Sequence, residues 1–176
     1  MANRNCTKYK SNKQESRVAK DLNAKVTVAS GALWTQKADV RNEDYLVECK
    51  TTAKDYYSLT KTTWEKIKKQ ALSDNFRIPI MCIDLEDGNH VLAVLSIHDF
   101  IALDLDVKAQ YLGNPEPILI EKNSYRITAE FIRGTFPQSI DEGQYPCFRQ
   151  DIKFLGTNDH LVIIQWEDFL ILTESK

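Results

Sequence analysis

"LVECK", Leu46 to Lys50, decides how this chain is read, because it sets a glutamate and a lysine inside what is otherwise an apolar strand. Residues two apart in a strand project to the same face, so Glu48 and Lys50 point together while Val47 and Cys49 point the other way. The pair is therefore either a solvated sheet edge or a site. A surface salt bridge explains an isolated Glu-x-Lys well enough, so the neighbouring segments have to decide.

Upstream, "KQESRVAKDLNA" places Val18, Ala19 and Leu22 at helical spacing and predicts a first helix over about residues 12 to 24, with Glu15 in its first turn. "KVTVAS" alternates and is β-branched, Ser30-Gly31 supplies a break, and "KADV", "RNED" and "YLVECKTT" read as strand, turn and strand. Downstream, "SLTKTTWEKIKKQALSD" sets Trp64, Ile67, Ala71 and Leu72 on one helical face with lysines on the other. "IPIMCIDL", "DGN" and "HVLAVLSI" predict a hairpin whose continuous apolar runs suit strands covered on both faces. The expected order is helix, three strands, helix, two strands.

From Asp104 the signals weaken, and this region holds four of the five prolines, with short strand candidates at "PILIE", "SYRITAEFI" and "DIKFL". "LAVLSIHDFIAL" (92 to 103) and "LVIIQWEDFLIL" (161 to 172) echo one another as apolar strand, break, Asp-Phe and helix start. One such pair does not make a repeat architecture, and two independent strand-to-helix turns explain it.

Composition bounds the class. The chain has 176 residues, 43% hydrophobic and 27% charged, as one globular domain would. No run approaches the roughly 20 apolar residues of a membrane span, and the polar start lacks a signal-peptide core, so a soluble cytoplasmic protein is expected, in the host cytoplasm if phage-encoded. The four cysteines have no CxxC spacing and no histidine nearby in a zinc pattern. Residues 1 to 72 carry 15 Lys+Arg against 8 Asp+Glu, and the remainder carries 8 against 17, so a net +7 faces a net −9. If the partner is a polyanion, it meets the N-terminal part; ordinary solvated lysines are the alternative.

Asp39 stands nine residues before Glu48, a separation that a hairpin folds back so the two carboxylates meet. They repel unless a cation lies between them, and Mg²⁺ suits hard oxygen ligands while keeping waters for chemistry. The Cys49 backbone carbonyl is a further candidate ligand, and Glu15 completes the cluster or serves a second ion. Lys50 is placed to stabilise charge on a phosphodiester transition state, or to position and deprotonate a water.

Taken together, Glu15 on a first helix, "SGA", "KADV", "VECKTT" and "YSLTKTTWEKIKKQA" resemble the PD-(D/E)XK nuclease superfamily, and within it the small phage-encoded and archaeal-type Holliday junction resolvases. The resemblance spans roughly residues 8 to 103. It implies an α/β fold with a mixed central sheet flanked by helices, a restriction-endonuclease-like core over 1–103, and a C-terminal extension over 104–176 that completes or decorates the same domain. It also implies that Glu15, Asp39 and Glu48 bind metal, that Lys50 is catalytic, that Mn²⁺ substitutes for Mg²⁺, and that a homodimer makes paired nicks in branched DNA. Ser30 and Gly31 would lie near the active site or the DNA. One departure is Ala38, where the motif has proline.

Thr51, Thr52, Lys54 and Lys61 are candidate phosphate contacts, with Lys66, Lys68 and Lys69 along the helix, while Gln70 resembles a glutamine placed near the metal in such nucleases. Tyr56 and Tyr57 are candidate backbone contacts or core-edge cover, and the tryptophans are read as packing residues. Rival expectations are a nuclease of linear or single-stranded DNA, a restriction-like enzyme, and a nuclease-fold protein that binds without cutting.

Overall fold

The computed structural model describes residues 7–27, 38–108, 110–111, 116–135, 146–147 and 149–174. In chain order the elements are α1 (Thr7–Asp21), β1 (Lys25–Val26), β2 (Val40–Arg41), β3 (Tyr45–Thr52), β4 (Tyr56–Thr60), α2 (Lys61–Ser73), β5 (Ile78–Leu85), β6 (His90–Ser96) and α3 (Ile97–Ala102). There follow α4 (Leu105–Lys108), β7 (Gln110–Tyr111), β8 (Ile118–Ile120), β9 (Ser124–Thr128), α5 (Ala129–Thr135), β10 (Pro146–Cys147), β11 (Gln150–Phe154), β12 (His160–Gln165) and α6 (Trp166–Glu174).

Eight strands form one sheet in the order β1-β2-β3-β5-β6-β12-β11-β8. It is mixed: β3 runs parallel to β5 and β8 parallel to β11, while the other neighbours are antiparallel. The fold is thus α/β with a mixed central sheet flanked by helices, and β8, β11 and β12 bring residues from beyond Asp104 into that sheet.

Strand alternation sorts the core into two layers. Val47, Cys49, Ile80, Cys82, Ala93, Leu95, Val162 and Ile164 face one way, under Val18 and Ala19 of α1, Phe100 of α3 and Phe169 of α6. Leu46, Met81, Ile83, Val94, Leu161 and Ile163 face the other way, under Trp64, Ile67 and Ala71 of α2, Leu59 of β4 and Ile127 of β9. Burial on both faces is why "IPIMCIDL" and "HVLAVLS" read as unbroken apolar runs. Gly88, at φ +104, closes the turn between them in a region that L side chains avoid.

Three expectations need correction. The first helix begins at Thr7 and ends at Asp21, so Glu15 sits mid-helix and not in a first turn; Asn23, at φ 47, makes the left-handed stop. An extra strand, β4, precedes α2 and pairs with β9 in a separate two-stranded sheet, through partners such as Tyr57 and Ile127 that are too distant in sequence for periodicity to reveal. "SYRITAEFI" is not one strand: β9 stops at Thr128, whose Oγ1 accepts from Phe131 N at 3.1 Å and starts α5. Trp34 lies outside the described residues.

The two echoing segments are neighbours. β6 and β12 pair antiparallel with Leu161 opposite Ser96, Ile163 opposite Val94 and Gln165 opposite Leu92, so equivalent positions exchange about Val94 and Ile163. A local two-fold relates the strand-helix units, and it brings Phe100 and Phe169 into the same core layer. Among the described residues no helix is long and apolar enough to cross a membrane.

Two substitutions test this packing. Phe169→Ala, at a fully buried ring that meets Tyr45 edge-on at 5.7 Å, should cost about 3–5 kcal/mol in denaturant unfolding. Thr60→Ala removes the oxygen that caps α2 by accepting from Thr63 N and should cost about 1 kcal/mol.

Candidate metal centre

β3 positions the two residues that opened the reading. Glu48 follows Leu46 onto the α2 face of the sheet and Lys50 follows Glu48, so the ammonium reaches the carboxylate: Lys50 Nζ donates to Glu48 Oε1 at 2.6 Å. The Glu48 side chain is 9% exposed and that of Lys50 31%. Glu48 Oε2 is buried and has no hydrogen-bond partner among the described residues. A buried carboxylate oxygen left open is costly unless something donates to it or coordinates it.

Asp39 arrives from the β2 side. Val40 stands opposite Val47, and Asp39 N donates to Val47 O at 3.2 Å, which brings Asp39 alongside Glu48. Its side chain then ends the ladder by accepting from Cys49 N at 2.8 Å. Because a strand residue's N–H and C=O point to the same side, the Cys49 carbonyl also faces the edge where Asp39 sits. Glu15 comes from α1, held by Ser11 Oγ at 2.9 Å, and its charge is felt at Asp39.

The electrostatics follow from this crowding. Burial first, and then the neighbouring Glu48 and Glu15 charges, push Asp39 from 3.8 up to about 6, against the opposing Cys49 N–H and Lys50 ammonium. Burial alone would lower Lys50, but the hydrogen bond and charge of Glu48 outweigh it and raise its pKa, so the amine stays protonated at neutral pH. The Cys49 and Cys82 thiols are driven up by burial and are not thiolates there.

The donor set fits a hard cation. Asp39 and Glu48 offer carboxylate oxygens, one of them unpartnered, and the Cys49 carbonyl faces the same edge. Among the described residues no group of three or more His, Cys, Asp or Glu side chains forms a metal cage by itself. Mg²⁺ does not require one, since it is usually held by one or two carboxylates and keeps several waters.

The remaining predicted residues are dispersed. Thr51 and Thr52 end β3, and Thr52 Oγ1 accepts from Lys54 N at 3.1 Å. Lys54 Nζ reaches Tyr56 Oη at 3.4 Å and lies over its ring. Lys61 opens α2, its N–H donating to Asn123 O at 2.9 Å. Lys66 and Lys69 are exposed, whereas Lys68 is paired with Asp159. Gln70 is half-buried, and both of its amide atoms are covered and unpartnered among the described residues. Ser30 and Gly31 lie outside the described residues.

One contributor escaped the sequence. Gln14, 3% exposed, donates from Nε2 to Lys50 O at 3.3 Å and Cys82 O at 3.1 Å, pinning α1 to the strand that carries Lys50. Its spacing of four residues from buried Val18 was the available signal. Tyr57, on the inward side of β4 with Leu59, feels both Lys50 and Glu48, and its hydroxyl pKa is raised chiefly by burial. That is the core-edge cover expected of Tyr57, and the pairing of β4 with β9 holds it there.

Asp39 makes the centre pH-sensitive. Between 3.8 and about 6 the folded chain keeps a proton on Asp39 that the unfolded chain has released, so stability falls as pH rises through this window and the penalty is complete above it. Asp39→Asn, which keeps an oxygen for Cys49 N–H, should raise metal-free stability at pH 7.5 by about 1–2 kcal/mol, allowing for solvent screening. The gain should vanish below about pH 4 in thermal melts with chelator present.

Compared with family models, curated proteins and solved structures, the chain matches none.

Proposed function

We propose that the protein is a metal-dependent endodeoxyribonuclease that hydrolyses phosphodiester bonds, with branched DNA such as a Holliday junction as its substrate. The observation that carries this reading is the junction of β2 and β3, where Asp39 is anchored on Cys49 N–H beside Glu48, and Lys50 stands two residues further along the same strand. Hard oxygen donors next to a permanently charged amine make a hydrolytic centre for an anionic ester. The choice of branched DNA and of a dimer rests on the resemblance to junction resolvases.

A divalent cation held by Asp39, Glu48 and the Cys49 carbonyl would supply Lewis acidity and a lowered pKa for bound water. The chain's own residues do the rest. Lys50, hydrogen-bonded to Glu48, serves as a fixed cation for charge developing on the phosphate. Glu48, held in a buried strand, aims Lys50 through Oε1 and has Oε2 unpartnered among the described residues. Asp39, with one oxygen held by Cys49 N–H, keeps its orientation without a flexible stem. Lys54 and Lys61 lie on the segments after β3, where they neutralise neighbouring phosphates without reading sequence.

One observation favours a second reading, DNA binding without cleavage: the Lys50 ammonium already neutralises one oxygen of Glu48 at 2.6 Å, so the acid pair is partly satisfied without a metal.

A single assay separates these readings. A four-way junction, linear duplex, single-stranded DNA and supercoiled plasmid are offered to the protein with Mg²⁺ or Mn²⁺. The junction should be cut fastest, chelator should abolish cleavage, and Lys50→Ala and Glu48→Gln should each lower the rate by roughly 10²-fold or more. Retained junction binding without cutting of any substrate would select the second reading, and equal cutting of duplex and junction would remove the resolvase assignment.

A further inference from the structure

β4 and β9 form a two-stranded ribbon on the α2 side of the main sheet, and its two sides differ in chemistry. Tyr57 and Leu59 of β4, with Tyr125 and Ile127 of β9, turn inward onto the core. Strand alternation therefore sends Tyr56, Ser58, Thr60, Ser124, Arg126 and Thr128 outward, with Tyr56 opposite Thr128 and Ser58 opposite Arg126. None of these six carries a carboxylate.

Arg126 is placed unlike the other arginines. Among the described residues Arg17, Arg41, Arg77, Arg133 and Arg149 each pair with an Asp or Glu. Arg126 is exposed and has no carboxylate partner there; its guanidinium carbon lies 4.5 Å from the centre of the Tyr56 ring. Lys54 Nζ, also without a carboxylate, lies 5.3 Å from the same centre and 3.4 Å from Tyr56 Oη. Asp55 and Glu130 adjoin the two strands and pair with neither cation. A ring contact uses none of the guanidinium's N–H donors, so the fork that matches a phosphate is left open. Two cations drawn to one ring repel each other, and an anion placed against both offsets that repulsion.

We infer that the outward side of the β4–β9 ribbon seats the sugar-phosphate backbone of a DNA strand, with Arg126 and Lys54 on phosphates and the exposed Ser58 and Ser124 donating to their oxygens. The five residue pairs make a ribbon about 17 Å long, which spans several phosphates of one strand at about 3.4 Å of helix axis each. A lone phosphate would use only one end of it, and an acidic peptide would find no aliphatic side chain among the outward six. Phosphate contacts of this kind position DNA without reading its sequence. The strand that supplies Arg126 lies beyond Asp104, so the C-terminal part of the chain shares the DNA contacts of Lys54. Tyr57, on the inner side of the same ribbon, feels Lys50 and Glu48, which sets the surface beside the candidate centre. Choosing DNA among polyanions rests on the nuclease reading.

Fluorescence anisotropy tests the assignment, using the full chain in chelator with a labelled four-way junction and two duplexes of unrelated sequence, between about 50 and 200 mM salt. Arg126→Glu should weaken binding to all three at least tenfold. Arg126→Ala should flatten the slope of log affinity against log salt by about 0.9, as for one lost phosphate contact, and Arg126→Lys should keep the slope. Lys54→Gln should flatten it similarly, and circular dichroism checks the fold of each variant. Lys153→Glu makes the same kind of charge change at an exposed position on the opposite side of the sheet and should cost less than threefold. An unchanged slope in Arg126→Ala, an equal loss in Lys153→Glu, a loss confined to one sequence, or no DNA binding overturns the proposal. So does equally effective competition by inorganic phosphate or by a polyglutamate of matched charge. Metal-dependent cleavage with unchanged affinity in Arg126→Glu sinks only the ribbon surface, and Arg126-dependent binding without cleavage of any DNA sinks only the nuclease reading.

Discussion

The hydrogen bond from Cys49 N to Asp39 Oδ2 is the contact on which the candidate centre depends. Where another rung of the β2–β3 ladder would form, a carboxylate takes the strand's N–H, and pairing stops with Asp39 held on Cys49 N. The other edge of β3 is held along all eight of its residues by β5, so the strand does not shift to relieve the crowding. Burial first, and then the nearby Glu48 charge, hold the Asp39 carboxyl up at about 6. A cation between Asp39 and Glu48 would offset that cost.

The layers on either side make that arrangement possible. Val47 and Cys49 lock β3 under α1, while Leu46 and Glu48 lie under α2, so the same alternation that buries the strand fixes the angle of its charged residues. Gln14 adds a polar pin from α1 to the carbonyl of Lys50. The helix carrying Glu15 is thereby tied to the strand that carries Glu48 and Lys50.

Much of this was legible from local patterns. The alternation of "YLVECKTT", the 3.6-residue spacing of Trp64, Ile67 and Ala71, and the apolar runs of β5 and β6 each report which face is buried, and burial is what shaped them. Asp39 and Glu48 were within reach because a short hairpin links them. What stayed hidden depends on pairing across long separations. β4 pairs with β9, some seventy residues on, and Lys68 loses its freedom to Asp159 on the β11–β12 turn. The sequence-level reading of Glu15 was right about the helix and wrong about its start, since polar residues from Thr7 onward carry no apolar stripe to mark the first turns. The kinship of "LAVLSIHDFIAL" and "LVIIQWEDFLIL" gained a geometric meaning only when the register placed Val94 opposite Ile163.

The central claim is that Asp39 and Glu48 hold one divalent cation between them. The most direct measurement is titration with Mn²⁺ at pH 7.5, followed by its electron paramagnetic resonance signal, in the wild-type chain and in Asp39→Asn and Glu48→Gln. The account predicts one saturable Mn²⁺ site per chain, displaced by excess Mg²⁺ and weakened at least tenfold by either substitution. Absence of a site in the wild type, or equal binding in all three proteins, would contradict it.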